Sequence, residues 1–186
     1  LYPHGAFDHT IPEIMLDPFK ELTIVDYGNI GVDPMSSERS IVHLADMVEE
    51  IAKTGAIPIL VGGDHAVLYP HIVGMARVHG KGNFTVIHVD AHADNSGSTF
   101  GHYVHIGSMN RLAIEEGWVK KGNIIQAGMR SPAAYNREYV LWWAENGHMF
   151  MGAEFRNRGF REVTREIAEI IKNGPGKVYI SIDIDC

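Results

Sequence analysis

The chain has 186 residues and a formal net charge of −7 at pH 7, since 23 acidic side chains outnumber 16 basic ones. Hydrophobic residues make up 45% of the sequence, a globular composition, and the length suits one domain. The acidic balance argues against a nucleic-acid-binding protein. No apolar run approaches the about 20 residues that a membrane-spanning helix needs. A single cysteine, Cys186, excludes an intrachain disulfide and a cysteine-rich metal site.

Apolar runs alternate with amphipathic stretches along the chain. Short apolar runs predict strands at Leu22–Gly28, Ile57–Val61, Phe84–Val89, Ile124–Met129, His148–Met151 and Lys177–Ile184. Apolar residues at helical spacing predict helices over residues 37–53, with Ser37 as the cap, and over 66–78, 133–145 and 160–172. This alternation predicts an α/β fold with a mainly parallel sheet covered on both faces.

Both ends of the chain carry expectations. The sequence opens without a basic region followed by an apolar stretch, so no secretory leader is predicted and a cytoplasmic protein is expected. The last predicted strand ends directly before Cys186. Ligands of open parallel sheets bind beyond the carboxyl ends of the strands, where a following loop is expected. We expect residues 1–186 to form one domain that is incomplete at both ends.

Acidic and histidine side chains follow three of the predicted strands. Val61 is followed by Gly62-Gly63-Asp64-His65, in which the glycines permit a tight turn and His65 stands at the strand exit. By itself this motif is more typical of a surface histidine or a helix cap than of a metal ligand.

The second cluster reads His88-Val89-Asp90-Ala91-His92-Ala93-Asp94. Side chains alternate between faces in an extended segment, so Asp90, His92 and Asp94 are expected on one side. Two carboxylates and an imidazole placed together favour a bound cation. A solvated strand end is the alternative.

The third cluster is Ser181-Ile182-Asp183-Ile184-Asp185. The same alternation places Asp183 and Asp185 on one face and directs Ile180, Ile182 and Ile184 into the core. Neighbouring like charges on a buried strand are costly unless they are paired or bind a metal. An edge strand with exposed acids explains the pattern equally well.

Together the clusters offer two imidazoles and four carboxylates as candidate ligands: His65, Asp90, His92, Asp94, Asp183 and Asp185. Six ligands are too many for one tetrahedral zinc, and a set rich in oxygen and free of sulfur suits manganese. Two ions sharing bridging carboxylates use the whole set, and such pairs activate water for hydrolysis.

With these motifs in this order, the chain resembles the ureohydrolase family, which contains arginase and agmatinase. Gly128-Met129-Arg130 also resembles a strand end of that family. The resemblance implies a three-layer α/β/α fold of the arginase and deacetylase type, a pair of Mn²⁺ ions (Ni²⁺ in some relatives), and hydrolysis of a guanidinium group to urea and an amine. It implies that Asp90 and Asp183 bridge the ions.

The resemblance also implies roles in catalysis and assembly. Asp94 would orient the attacking hydroxide, and a histidine in the following loop would relay a proton to the leaving amine. His105 is our choice for that relay because Gly107-Ser108 follows closely, and His102 is the competitor. His88 is expected to support a ligand by hydrogen bonding. The expected partners are a small cationic guanidino substrate and further copies of the chain, as a trimer or hexamer, with no nucleic acid and no membrane.

Three other classes of protein fit part of the pattern. An inactive metal-binding subunit beside an active paralogue should have lost ligands, and here all six are present. A single-zinc deacetylase should show fewer ligands. A metallophosphatase fits the ligand count, but the chain is acidic and has no evident phosphate-binding loop. Among substrates, an agmatine-like compound leads, with a guanidino acid or guanidine itself as alternatives.

Overall fold

The computed structural model describes residues 10–132 and 136–185. Four strands form one parallel sheet in the order β3-β2-β1-β4; they are β1 (Phe84–Val89), β2 (Ile124–Met129), β3 (His148–Met151) and β4 (Lys177–Ile182). All four were predicted from the sequence, although β4 ends two residues earlier than expected.

Helices precede, connect and follow these strands. They are α1 (Pro18–Glu21), α2 (Ser37–Lys53), α3 (Leu68–His79), α4 (Met109–Glu115), α5 (Arg137–Asn146), α6 (Gly152–Arg158) and α7 (Phe160–Asn173). The short helices α1, α4 and α6 were not predicted. Residues 133–135 of the predicted third helix lie outside the described residues, and the remainder forms α5. In the described part of the chain, no helix is both long enough and apolar enough to cross a membrane.

Two apolar clusters cover the two faces of the sheet and confirm the three-layer α/β/α prediction. On one face Val86 and Ile124 pack with residues of α3, α4 and α5, including the fully buried Leu68, Leu112 and Trp143. On the other face Ile125 and Ala127 pack against Val163 and Ile167 of α7. Successive residues of β2 thus point to opposite layers, as the pleat of a strand requires.

The cap of α2 differs from the prediction by one residue. Ser36, not Ser37, adopts extended backbone and accepts a hydrogen bond from the backbone N–H of Arg39 through its hydroxyl. Both serines are good capping residues, and the one that lies outside the helical backbone takes the role.

Two predicted strands do not form. Residues 22–28 and 57–61 have no strand pairing among the described residues, and most of their apolar side chains are exposed, although Pro58 is buried and Leu60 is half-buried. Their composition favours extended backbone, but a strand also requires a neighbour, and the described chain places none beside them. The prediction that Ile180, Ile182 and Ile184 face the core is also wrong, because all three side chains are exposed in the described part of the chain.

Helices α2 and α3 approach most closely at Gly74. A Cβ atom there would lie 2.5 Å from the carbonyl oxygen of Ala45 and 2.7 Å from Cβ of Val48. We expect Gly74→Val to destabilise the protein by about 1–3 kcal/mol, the usual cost of overpacking a core. Urea unfolding measures this. Gly176→Val is the matched control, because a Cβ at Gly176 meets nothing within 4 Å; equal midpoints would contradict the close approach.

His71 of α3 introduces a pH dependence of stability. Burial lowers the pKa of this imidazole to about 4, and its ring lies edge-on to Tyr179, with the ring centroids 4.9 Å apart. In the unfolded chain His71 binds a proton below about pH 6.5, whereas in the folded chain its imidazole stays neutral down to about pH 4. Stability should therefore fall as the pH drops from about 6.5 to about 4, by about 3 kcal/mol at most.

The variant His71→Phe isolates this contribution. It keeps an aromatic ring against Tyr179 and removes the titrating group. Urea unfolding at a series of pH values should show a shallower loss of stability for the variant between pH 6.5 and 4 than for the unaltered chain. Parallel curves for the two proteins would show that His71 is not buried as a neutral group.

Candidate metal centre

The candidate site lies at the carboxyl ends of β1 and β4, next to the turn that precedes α3. Gly62 and Gly63 lead into Asp64, whose carboxylate accepts a hydrogen bond from the backbone N–H of Ala66 and caps the short 3₁₀ turn His65–Val67. This cap fixes the start of the turn, so His65 is directed toward the strand ends. Asp64 therefore anchors the turn.

Oxygens of three carboxylates surround Nδ1 of His65. This nitrogen lies 2.9 Å from Oδ2 of Asp90, 3.1 Å from Oδ2 of Asp94 and 3.3 Å from Oδ2 of Asp183. The other ring nitrogen, Nε2, lies 2.7 Å from Oγ of Ser181 on β4. One imidazole therefore links the turn before α3 to both neighbouring strand ends.

A second group shares Asp90 with the first. Nδ1 of His92 lies 3.3 Å from Oδ1 of Asp90 and 3.2 Å from Oδ2 of Asp185. The two oxygens of Asp90 thus point to different groups, one buried around His65 and one exposed around His92. The amide N–H of Asp185 donates to Oδ1 of Asp183, which ties the two acids that follow β4 to each other.

The structure brings all six predicted ligands together, but not by strand alternation. Strand β1 ends at Val89, and the backbone then turns, with Asp94 at a φ of +43°. Ala91 and Ala93 are buried on the other side of this turn. The expectation of an extended segment is therefore wrong for residues 90–94, although the side chains converge as expected.

The charges of this cluster are strongly coupled. Burial opposes a charge on His65, but its hydrogen bonds to Asp90 and Asp94 and their negative charges outweigh this and raise its pKa to about 10. Burial likewise opposes ionisation of Asp90, but hydrogen bonds from His65 and His88 hold the pKa of this carboxyl well below its usual range. Asp90, and likewise Asp94, whose pKa is also lowered, are thus held close to a positive charge. A divalent cation suits this donor set for the same reason.

His88 supports the cluster from below and is fully buried. Its Nε2 lies 2.9 Å from Oδ2 of Asp90, and its Nδ1 contacts Oε1 of Gln126. Nε2 of His88 also lies 3.4 Å from Nδ1 of His65, close enough for His88 to join His65, Asp90 and Asp94 as a possible metal-binding group. Our prediction that it supports a ligand agrees with its contact to Asp90.

Gln126 of β2 is a supporting residue that the sequence analysis missed. Its amide nitrogen donates to the carbonyl oxygens of Asp90, at 3.0 Å, and His92, at 2.8 Å. Because both donor hydrogens are used there, the amide oxygen must face His88 and accept from its Nδ1–H. One buried amide therefore holds the backbone of the turn at residues 90–94, here called the ligand turn, and fixes the orientation of His88. A glutamine inside the apolar run of β2 was the signal available in the sequence.

Asn110 and Gly128 fix the same turn from other directions. The side-chain amide of Asn110 donates to the carbonyl oxygen of Ala93, and its backbone N–H donates to that of Asp94. Gly128 lies at an irregularity in the pairing of β2 with β3 and has a φ of +101°. A Cβ atom there would lie 3.3 Å from the carbonyl oxygen of Asp90. Glycine satisfies both constraints.

The two histidines proposed for proton transfer lie in the loop of residues 96–107. Both ring nitrogens of His105 are engaged: Nδ1 accepts from the N–H of Gly107, and Nε2 donates to the carbonyl oxygen of Gly97, 2.9 Å away. His102 is exposed and pairs through its backbone with Thr99. Neither histidine lines the cavity above the acids, although Ile106 and Gly107 do. The proton-transfer role of His105 stays a prediction.

The cavity above the cluster has a volume of about 460 Å³, within the range of small-molecule sites. The acids and histidines form its base, and Asn95, Ser96, Ile106 and Tyr139 form part of its wall. Among the described residues, its lining includes no lysine or arginine. Arg130 donates from Nη2 to the carbonyl oxygen of Asp185, a residue at the rim of the cavity.

A parallel sheet whose strand ends carry two overlapping groups of acids and histidines offers a candidate site for metal ions at its carboxyl edge. Comparison with known proteins gives the family: residues 6–186 match the Arginase family, and the chain belongs to it.

Related proteins agree with this assignment. The chain is 32% identical to the agmatinase of Chromobacterium violaceum, covering 91% of this chain and 49% of that protein. It is 29% identical to the guanidinobutyrase of Pseudomonas aeruginosa, covering 90% and 51%. The crystal structure of a hypothetical agmatinase from Burkholderia thailandensis superposes with a TM-score of 0.79 at 26% identity, covering 92% of this chain and 51% of that one. The chain thus spans about half the length of the curated relatives it matches.

Gln126→Leu tests the support beneath the ligand turn. Loss of the amide removes two hydrogen bonds to the turn and one to His88, and we expect Mn²⁺ affinity to fall about 10- to 100-fold, as is usual for residues that orient metal ligands. Titration calorimetry with Mn²⁺ measures the change.

Thr85→Val is the matched control for Gln126→Leu. It also replaces a buried polar side chain by an apolar one, at the opposite end of β1, and the Thr85 hydroxyl has no hydrogen-bond partner within the described residues. Its Mn²⁺ affinity should stay unchanged. Equal loss of affinity in both variants would show a general effect on folding instead.

Proposed function

We propose that the protein is a binuclear metal hydrolase that cleaves the guanidinium group of a small agmatine-like compound to urea and an amine. The observation that carries this proposal is the pair of overlapping ligand groups that share Asp90, in a chain of the Arginase family. Relatives of this chain include an agmatinase and a guanidinobutyrase, which supports a guanidino substrate.

The residues present fit two metal ions. One would be held by His65, Asp90, Asp94 and Asp183, whose donor atoms already converge on Nδ1 of His65. The other would be held by the pair His92 and Asp185, with Asp90 and Asp183 shared between the ions. Oxygen donors with two imidazoles suit Mn²⁺, and Ni²⁺ is the alternative. Bound ions would supply water of lowered pKa and stabilise developing negative charge.

The chain's own side chains account for substrate binding. The acidic base of the cavity attracts a guanidinium cation, and Ile106 and Tyr139 offer apolar surface to the methylene groups of a substrate. Asp94 lies at the base of the cavity, where its carboxylate can accept a hydrogen bond from the attacking water and orient it. The residue that orients the water thus lies in the backbone turn that directly follows β1.

The leaving amine must receive a proton. Of the two candidates, His105 directly precedes Ile106 and Gly107 of the cavity wall in the sequence, whereas His102 lies further away along the chain. To act, its ring must release either the N–H of Gly107 or the carbonyl oxygen of Gly97. His102, which is exposed, needs no such release but requires the loop to bring it inward.

The tail of the substrate distinguishes the two leading candidates. The cavity lining has no lysine or arginine in the described part of the chain, so it offers no partner to a carboxylate tail and favours agmatine. A guanidino acid is the second candidate, because Arg130 lies at the rim and its guanidinium could pair with a carboxylate. Guanidine itself and an inactive metal-binding subunit remain alternatives. Assembly into a trimer or hexamer and a cytoplasmic location stay predictions.

Activity is tested by urea release. The complete natural polypeptide is stripped with a chelator, reloaded with Mn²⁺ or Ni²⁺, and assayed with agmatine, arginine, guanidinobutyrate, guanidinopropionate and guanidine. We expect metal-dependent urea release with agmatine at the highest kcat/KM, and a loss of at least about a thousandfold in Asp183→Asn, since a shared metal ligand is removed. The exposed Asp46→Asn is the control. Metal-loaded protein that releases no urea from any of these compounds would refute the proposal.

Metal content tests the ligand assignment independently of activity. Elemental analysis after reloading should give two ions per chain for the unaltered protein, because the donor atoms form two groups. His92→Ala should retain one ion, since the buried group around His65 stays intact. Asp90→Asn should bind neither ion tightly, because its oxygens serve both groups. Retention of two ions in Asp90→Asn would contradict the shared role.

A further inference from the structure

One guanidinium close to the cavity belongs to neither of the ligand groups described above. Arg111 lies on α4, the helix that follows the loop of residues 96–107, and its side chain is only 15% exposed. A charged group so far removed from water is costly unless its hydrogen bonds are satisfied. The partners of this side chain therefore show what it holds in place.

The shortest polar contact of Arg111 is to the backbone of the cavity wall. Its Nε donates to the carbonyl oxygen of Asn95, 2.8 Å away. Asn95 directly follows Asp94, is fully buried and lines the cavity. The backbone also passes close to the guanidinium at Gly97, where a Cβ atom would lie 3.3 Å from Nη1. Arg111 thus holds the segment that leads from the ligand turn into the loop that carries His105.

The other end of the same guanidinium contacts α5. Its Nη2 lies 3.3 Å from Oε1 of Glu138, and its central carbon lies 5.8 Å from the centroid of the Trp142 ring. The Glu138 side chain is 67% exposed, so this ion pair contributes little energy by itself. Together the two contacts orient the planar guanidinium, which leaves Nε directed at Asn95.

Asn95 extends this connection to another part of the cavity wall. Its side-chain amide donates to the carbonyl oxygen of Tyr139 on α5, 3.1 Å away. Tyr139 also lines the cavity, so it is joined to the ligand turn through Asn95. Since Glu138 of the same helix contacts Arg111, the contacts form a closed ring of three links. Removal of Arg111 opens that ring.

Arg77 of α3 is an arginine that joins two helices. Its Nη1 lies 2.6 Å from Oδ1 of Asp46 and 3.2 Å from Oε2 of Glu49, both on α2. All three residues lie outside the lining of the cavity. Both arginines pair with acids on a neighbouring helix, but Arg111 also holds a backbone carbonyl of the cavity wall. Helix packing does not require that contact.

We infer that Arg111 is the positioning residue that sets the separation between the acidic base of the cavity and the wall formed by Asn95 and Tyr139. The inference rests on the proposed function, in which the guanidinium of the substrate meets the base and its tail lies along this wall. Arg111 acts on the tail through Asn95. It therefore determines how tightly the tail is bound and leaves the reaction at the guanidinium carbon unchanged.

Steady-state kinetics of the complete natural polypeptide, loaded with Mn²⁺, test this role. In Arg111→Gln the KM for agmatine should rise at least about tenfold, because a charge-assisted hydrogen bond to the wall is lost, while kcat changes by less than about twofold. The constant for competitive inhibition by guanidinium ion, which has no tail, should stay unchanged. Arg77→Gln removes a comparable pair of contacts and is the matched control, in which all three values should stay unaltered.

Arg111→Lys separates positioning from folding. It keeps the charge and a donor but lacks the planar fork, so it should show the same pattern at a smaller size. This variant carries the test if Arg111→Gln does not fold. An equal rise of the agmatine KM and of the guanidinium inhibition constant would indicate general damage to the cavity and would overturn the inference.

Hydrogen exchange gives a readout that does not depend on metal, substrate or activity. The amide N–H of Ser96, next to Asn95, donates to the carbonyl oxygen of Gly107. It should exchange at least about tenfold faster in Arg111→Gln, because the neighbouring carbonyl is released, and at an unchanged rate in Arg77→Gln. Unchanged exchange in Arg111→Gln would contradict the inference whatever the kinetics show.

The two readouts distinguish failure of this inference from failure of the proposed function. An unaltered polypeptide that releases no urea from any guanidino compound would refute the proposed function and, with it, the role of Arg111 in binding the tail. Faster exchange at Ser96 would in that case still establish that Arg111 holds the wall. Faster exchange together with an unchanged agmatine KM would show that the wall does not bind the tail, which refutes the inference alone.

Discussion

The structure around the metal centre is organised by the repulsion between carboxylates. Asp90, Asp94 and Asp183 all bring an oxygen within 3.3 Å of one histidine nitrogen, so their mutual distances are short as well. Such an arrangement is stable only when positive charge lies between the acids. An imidazolium at His65 is such a charge, and against the effect of burial the neighbouring Asp90 and Asp94 raise its pKa to about 10. The backbone turn, the buried His88 and the amide of Gln126 all serve to hold acids where they would otherwise separate.

Parallel strands make this concentration of charge possible. The carboxyl ends of β1 and β4 meet at one edge of the sheet because the strands are in register from Phe84 with Lys177 to Val89 with Ile182. The acids follow immediately after each strand, so the register fixes their relative positions before any metal binds. Rigid strands below and short turns above are a common way to pre-organise a site. The relative positions of the acids are thus set by the backbone pairing of β1 with β4.

The sequence predicted those parts of the fold that depend on local pattern. The bounds of β1 and β2 match the predicted strands, because each is a short apolar run closed by polar or glycine residues. The ligand clusters were recognisable for the same reason, since their residues are close together in the chain. The segments at 22–28 and 57–61 have equally β-like composition, but the presence of a strand depends on a distant partner that composition does not report. Gln126 was missed because its role depends on contacts across two strands.

The loop that carries His102 and His105 is closed at its base by Ser96, whose N–H and hydroxyl both donate to the carbonyl oxygen of Gly107. Its far end is a tight turn at Phe100 and Gly101, which reaches away from the protein with Phe100 98% exposed. The two hydrogen bonds at the base of the loop keep a conformational change at its tip from reaching the acids. Insertions and substitutions at the tip can therefore accumulate without disturbing the acids below. In evolutionary terms, the tip of this loop is a place where the sequence can change while the geometry of the acid cluster is kept.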